Sequence, residues 1–405
     1  MFKISKKARL AIYIGSLCSV SYLAVYFARN ILGAVSPQMI EVGGFSESYI
    51  GKLESTYLIC YAFGQLINGA LGDKIKARYM ISLGLLCAGV TNFIFTYITG
   101  IPFASIAVYG FTGYFLSMIY GPMTKVVAEN TEPVYATRCS IGYTFASFIG
   151  TPLAGVAATH LAWNNVFKLS SVILAVMATL CFSVFLFFER KGIIKYGQYK
   201  SEKSRSGGSI KVLIKHRIIK FSFIAMLTGI VRTTVTFWFP TYISQYLDFP
   251  HDKATTIYTV ASFIISTTTF IAIFIYERLK RNMDLTILIM FSSSTIFFTA
   301  VYFLKIPVLN IIFMVLAIMS AGAASTMLYS RYCPSLRDTG MVSGATGFLD
   351  FLSYAAASAT STLFAEAVTT IGWGNLILVW AGLMFVGIIV ALPYRSFFKK
   401  AESES

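Results

Sequence analysis

The sequence predicts an all-α membrane protein, with twelve transmembrane helices in two pseudo-symmetric six-helix bundles. Three observations carry this expectation. The 405-residue chain is 56% hydrophobic and only 12% charged, with a mean hydropathy of +0.71. A soluble domain of that length cannot hide so much apolar area. The apolar residues fall in continuous runs close to the ~20 residues that cross a bilayer as a helix, whereas a β-barrel would show short alternating strands. The loops between these runs alternate in basicity. Backbone groups in lipid need internal partners, so the runs must be helical.

The elements follow in order. The span 11–40 comes after the basic start Lys3–Arg9 and is too long for the apolar part of a cleavable signal. The span 48–72 mixes polar and apolar residues at helical period. Spans 80–99 and 102–124 rest on the runs Met80–Ile98 and Phe103–Met123. The fifth, 139–162, contains Gly142 and Gly150-Thr-Pro152-Leu-Ala-Gly155, which permit bending and tight packing. The sixth, 166–188, rests on Leu169–Phe188. A polar stretch then carries Ser201–Ser209 with Gly207-Gly208 and reads as a linker. Spans 218–247, 254–277, 284–304, 306–330, 341–367 and 373–394 complete the set. The expected organisation is an N-terminal bundle at 1–189, a cytoplasmic linker at 190–217 and a C-terminal bundle at 218–405.

A net charge of +16 fits a nucleic-acid partner, but its placement argues against one. Four of the Lys and Arg residues, Lys52, Lys168, Lys253 and Lys305, lie near outer ends. Apart from these, Arg29 and Arg232, all of them sit in the loops and ends of one face. The positive-inside rule makes that face cytoplasmic, with both termini inside and the protein multi-pass in a bacterial-type cell membrane. Six cysteines show no CxxC or metal spacing and read as small apolar fillers. No nucleophile–base pair, metal cluster or phosphate-cradling loop marks an enzyme, and no cofactor is expected.

Arg29 and Arg232 have no topological reason to be where they are. A charge inside a span costs roughly 3 kcal/mol on insertion scales and marks a candidate functional site. Arg29 precedes Pro37 and Arg232 precedes Pro240 at the same distance, and the two arginines are 203 positions apart. Phe45 and Phe249 keep nearly that offset, the signature of a repeated six-helix unit. Tyr22, Tyr26 and Arg29 share one helix face at i, i+4, i+7. Glu54, Tyr57, Tyr61, Gln65 and Asn68 form a polar stripe on the second span. Gly347, Asp350, Tyr354, Ser358 and Ser361 form another on the eleventh. Such stripes face water or protein rather than lipid, and helix–helix hydrogen bonding is the plainer alternative for any one residue. Arginine keeps its charge and grips phosphate or carboxylate with two parallel donors. Asp350 and Glu54 are the acids that could pair with the arginines or carry a coupling proton. Trp238 either packs beside a substrate or fills space.

Gly69-Ala-Leu-Gly72-Asp73-Lys74-Ile-Lys76-Ala-Arg78 resembles the cytoplasmic loop signature of the major facilitator superfamily, and Tyr276-Glu277-Arg278-Leu-Lys280-Arg281 is a degraded copy. The resemblance implies a gating loop served by Gly69, Asp73, Lys74 and Arg78. Tyr22–Asn30, Pro37, Gly51–Asp73 and Arg232…Phe237-Trp238-Phe-Pro240-Thr-Tyr242 are similar to the organophosphate:phosphate antiporter family, the glycerol-3-phosphate and hexose-phosphate carriers. That resemblance implies that Arg29 and Arg232 grip a phosphoryl group, with Tyr22, Tyr26, Tyr61 and Tyr354 lining the pore. The chain departs from the pattern at Gln65, where glycerol-3-phosphate members carry lysine. It departs again at Ala146 or Ser147, where they carry histidine.

The expected function is alternating-access transport of a small organic anion, a phosphate ester exchanged for inorganic phosphate. The substrate site would comprise Arg29, Arg232, Tyr22, Tyr26, Tyr61, Gln65, Trp238 and Tyr354, in a monomer within a lipid bilayer. A proton-coupled carboxylate or sugar-acid symporter using Asp350 stays open, and so does a membrane sugar-phosphate sensor.

Overall fold

The computed structural model describes residues 5–72, 75–196, 210–336 and 342–392. Among the described residues it is helical from end to end. We label α1 (Lys6–Glu41), α2 (Glu47–Gly72), α3 (Ala77–Ile98), α4 (Pro102–Asn130), α5 (Pro133–His160), α6 (Trp163–Arg190), α7 (Ile218–Gln245), α8 (His251–Arg278), α9 (Met283–Phe303) and α10 (Pro307–Tyr332). A helical stretch Val342–Ala391 holds the last two, α11 (342–371) and α12 (373–391). Nine stretches among the described residues are long and apolar enough to cross a membrane, and α2 and α5 are of matching length.

Local chemistry sets the ends. Pro102, Pro133 and Pro307 open α4, α5 and α10, where the missing N–H costs nothing and the fixed φ suits a first turn. The side chains of Ser5 and Asn282 cap α1 and α9 by accepting from Ala8 N and Leu285 N. The loop expected between the last two spans is a single kink at Gly372, with φ 76° and ψ 166°, a backbone position that needs glycine. α5 begins six residues before the expected boundary. Arg138 marks where the apolar run stops, not where the helix does.

The described chain forms two compact units. The first comprises Met1–Arg205, Phe237–Phe263 and Ser361–Ala365. Within it α1 packs along α5, α3 against α6 and α2 against α4. Lipid removes most of the hydrophobic drive for such packing, so close contacts and hydrogen bonds carry more of it. Phe95, Tyr109 and Phe167 interlock at its centre, with Phe95 4.8 Å from Phe167 and 5.3 Å from Tyr109. Asn92, fully buried, donates to Ser170 Oγ at 3.1 Å. The second unit comprises Ser206–Thr236, Ile264–Thr360 and Glu366–Ser405. There α10 packs against α9 and the second half of α8, and buried Asn310 donates to the carbonyls of Val301 and Leu304.

Inside the first unit, the end of α1 meets α7 and α8. Ser36 and Thr241 share a hydrogen bond of 2.8 Å, beside Pro37 and Pro240. Ser244 donates to Glu41, and Gln245 donates to Glu47 at 2.7 Å. His251 Nδ1 lies 3.0 Å from Glu41 and its Nε2 2.9 Å from Asp252. Gly51 on α2 lies so close to α11 that a Cβ there would sit 2.7 Å from that of Ala365.

Candidate functional site

In the first unit, Arg29 is half-buried on α1. Its guanidinium carbon lies 4.9 Å from the ring centre of Tyr61 and 5.4 Å from that of Tyr26. A desolvated cation over an aromatic face gains on the order of 1–2 kcal/mol and keeps its N–H donors for other partners. Tyr22, one turn before Tyr26, is buried, with its ring 4.9 Å from that of Tyr26. Tyr120 and Tyr143 complete this cluster at 5.5 and 6.0 Å from Tyr22. The sequence reading missed both. Tyr120 enters because α4 breaks at Ser117–Ile119 and restarts at Tyr120. Tyr143 sits in α5, where a mid-span tyrosine was the available signal.

In the second unit, Arg232 is exposed and lies in a π-helical turn of α7, Ile230–Val235. Its guanidinium carbon is 5.9 Å from the ring centres of both Tyr329 and Tyr354. Tyr329, also missed by the sequence reading, sits in a second π-turn, Leu328–Tyr332 of α10. A π-turn inserts one residue and re-aims the side chains around it, and such turns are frequent at functional sites. Thr234 donates to the Ala357 carbonyl at 2.9 Å and so fixes α7 to α11 one turn from Tyr354. Asp350, half-buried one turn before Tyr354, lies with Arg232 in electrostatic reach of Tyr329.

The units therefore hold two similar constellations, each an arginine over a pair of tyrosines. The first brings together Tyr22, Tyr26, Arg29 and Tyr61, with Glu54 in electrostatic reach of Arg29. The second brings together Arg232, Tyr329, Asp350 and Tyr354.

The remaining expected site residues divide. Gln65 is half-buried on α2. Trp238 is fully buried, its ring 5.2 Å from Phe237 and its Nε1 without a hydrogen bond among the described residues. Asn68, expected on the pore stripe, donates instead to Ser117 Oγ on α4 at 2.7 Å, so at that residue the stripe serves helix packing. Gly69 lies in the last turn of α2, and Asp73 and Lys74 lie outside the described residues. Arg78 is buried, pairs with Glu189 on α6 at 2.8 Å and lies 4.5 Å over the ring of Tyr79. Tyr196 donates to the same Glu189 at 2.9 Å. Burial and the adjacent carboxylate push its phenol well above the usual tyrosine range. Among the described residues, no group of His, Cys, Asp and Glu could hold a metal ion.

These helices and their paired arginine–tyrosine clusters define a polytopic α-helical membrane protein. The chain belongs to the Major Facilitator Superfamily, which matches residues 18–358. It is 22% identical to the Probable hexose phosphate transport protein of Chlamydia trachomatis over 39% of this chain and 35% of that protein. It is 21% identical to the Membrane sensor protein UhpC of Escherichia coli over 56% of each. With the Glycerol-3-phosphate transporter of Bacillus subtilis it shares 20% identity over 98% of this chain and 94% of the relative. The match thus spans about a third to a little over half of the first two relatives and nearly all of the third. Among solved structures, the D-xylose-proton symporter superposes with a TM-score of 0.71 at 14% identity, covering 94% of this chain and 96% of that one. This likeness shows the fold.

Proposed function

We propose that the protein carries a small phosphorylated anion across the cell membrane by alternating access, exchanging a phosphate ester for inorganic phosphate, and that Arg29 and Arg232 bind the anion. The observation that carries this reading is the repeated constellation, in which each membrane-embedded arginine lies over two tyrosine rings. Tyrosine faces stabilise the guanidinium through its plane, and the guanidinium fork has the shape that grips phosphate. The names of the hexose phosphate and glycerol-3-phosphate relatives support a phosphate ester as substrate class. Tyr22, Tyr26, Tyr61, Tyr329 and Tyr354 then supply aromatic walls and hydroxyl donors, and Gln65 adds a neutral polar contact. Lysine in place of either arginine keeps the charge but loses the bidentate geometry. In proteoliposomes loaded with inorganic phosphate, Arg29→Lys and Arg232→Lys should each abolish phosphate-driven uptake of glycerol 3-phosphate. Unchanged uptake in both would overturn the assignment.

A second reading has its own observation, the relative named as a membrane sensor. A sensor binds the ligand without moving it. Phosphate-ester binding by purified protein that shows no uptake in proteoliposomes would favour that reading over carriage.

A further inference from the structure

α3 and α6 pack side by side in the first unit, and both are long and apolar enough to cross a membrane. They meet at Gly89, where an added Cβ would sit 3.1 Å from the Ser171 carbonyl oxygen, and again at the Arg78–Glu189 pair of 2.8 Å. Between these two contacts lies a groove of about 360 Å³, lined by Tyr79, Ser82 and Leu83 of α3 and by Ala178, Thr179 and Phe182 of α6. Ser82 and Ala178 are buried and small, which leaves the space open. Tyr79, Leu83, Thr179 and Phe182 are exposed, so the groove opens on the outer surface of the helix pair. At its basic end the Arg78 guanidinium carbon lies 4.5 Å from the ring centre of Tyr79 and 5.3 Å from that of Phe182. Lys76, Arg190 and Lys191 are exposed at the same end of the two helices. Ser82 follows Arg78 by one turn on the same face of α3. Its buried hydroxyl has no hydrogen-bond partner among the described residues, and neither has Arg78 Nε.

We propose that this groove binds one anionic phospholipid: an acyl chain lies in the groove, a glycerol ester oxygen accepts from Ser82, and the headgroup phosphate sits among Lys76, Arg190 and Lys191. The site is separate from the arginine–tyrosine clusters and does not depend on the reading of Arg29 and Arg232 as anion ligands. A groove on the outer face of two membrane-crossing helices opens to lipid, so its occupant comes from the bilayer. Its volume falls in the range of a small-molecule site, and the contacts at Gly89 and at Arg78–Glu189 bound it at both ends. Those bounds fit one chain held in place rather than a fluid boundary layer. The lining is apolar apart from two hydroxyls, and Thr179 spends its own on the Ala175 carbonyl at 3.0 Å. The Ser82 hydroxyl is left as the unmet donor, which costs free energy until an acceptor reaches it. Lipid ester oxygens lie just beneath the headgroups, the depth at which the ends of α3 and α6 carry their basic residues. Glu189 balances Arg78, whereas Lys76, Arg190 and Lys191 add three positive charges on flexible stems that reach the surface. Basic residues at such a helix end attract anionic headgroups. A zwitterionic headgroup brings its own cation and gains less.

The test is native mass spectrometry of the full chain in detergent, titrated with phosphatidylglycerol or with phosphatidylcholine of the same acyl chains. Wild-type protein should retain about one phosphatidylglycerol more per chain than Thr179→Trp, whose indole fills the groove from an exposed position. Leu83→Trp fills the groove from the other helix and serves as a second variant should the first fail to fold. Wild-type protein should also bind phosphatidylglycerol at least about tenfold more tightly than phosphatidylcholine. The triple variant Lys76→Gln, Arg190→Gln, Lys191→Gln should lose that preference and still hold a lipid. Equal phosphatidylglycerol counts in wild type and both groove variants would overturn the site. Equal affinity of wild-type protein for the two lipids would overturn the anionic headgroup.

Discussion

A guanidinium held over a tyrosine face is fixed in place without spending its hydrogen-bond donors, so the ring sets where the charge points. On the proposed reading of Arg29 as an anion ligand, Tyr61, its ring centre 4.9 Å from the guanidinium carbon, would tune affinity. Tyr61→Leu removes the aromatic face and should weaken glycerol 3-phosphate binding by up to about 30-fold, the equivalent of roughly 2 kcal/mol. Tyr61→Phe keeps the face, loses only the hydroxyl and should weaken binding less. Titration calorimetry on the two variants checks the order, and a larger loss for Phe than for Leu would contradict the stacking role. Much of this cluster was legible in the sequence, because Tyr22, Tyr26 and Arg29 fall at i, i+4, i+7 on a helix that stays regular. Glu54 was legible as an acid on a polar stripe, but not its burial. That depends on which helices pack against α2. Asn68 shared the stripe yet turned to Ser117, because α4 approaches α2 closely at Gly64, where an added Cβ would clash with the Ser117 side chain.

At the scale of one element, the π-turns are the feature that hydrophobic patterning could not reveal. An apolar run looks the same with one extra residue per turn, so neither Ile230–Val235 nor Leu328–Tyr332 left a trace. Tyr329 was invisible for that reason: its place beside Arg232 comes from the re-aimed turn. Deleting Thr233 would restore ordinary α winding and rotate Arg232 by about 100° relative to the following helix. Such a variant should still insert and elute as folded protein but lose phosphate-driven uptake. Retained uptake would show that the π-turn is incidental. The Arg78–Glu189 pair, by contrast, joins the start of α3 to the end of α6 and is nearly dry, with side-chain exposures of 9% and 15%. Removing Arg78 leaves Glu189 with the Tyr196 hydrogen bond but without its counter-charge. Arg78→Ala should therefore cost roughly 3 kcal/mol of stability, read as a lower melting temperature of the detergent-solubilised protein. The family resemblance assigns Arg78 to a gating loop, and the structure adds its pairing with Glu189, a partner that the spacing of basic residues at a span end does not reveal.

At the scale of the molecule, the segments around Pro37 and Pro240, which the sequence pairs by their spacing from Arg29 and Arg232, lie in contact. Ser36 precedes Pro37 and Thr241 follows Pro240, so the hydrogen bond between them joins nearly equivalent points of α1 and α7. Around it, Glu41 takes Ser244 and His251, and Glu47 takes Gln245. Every one of these links lies at the helix ends opposite the basic loops, and every one joins the first half of the sequence to the second. A carrier that works by alternating access must break such links once per cycle, whereas a purely structural contact never has to open. Cysteines at both positions, Ser36→Cys with Thr241→Cys in a background without native cysteines, replace hydroxyl oxygens 2.8 Å apart and should cross-link on mild oxidation. Phosphate-driven uptake should then fall to background and recover when the bond is reduced, while each single variant stays active. Cross-linked protein that still transports would show that α1 and α7 stay together throughout the cycle, and that opening occurs elsewhere.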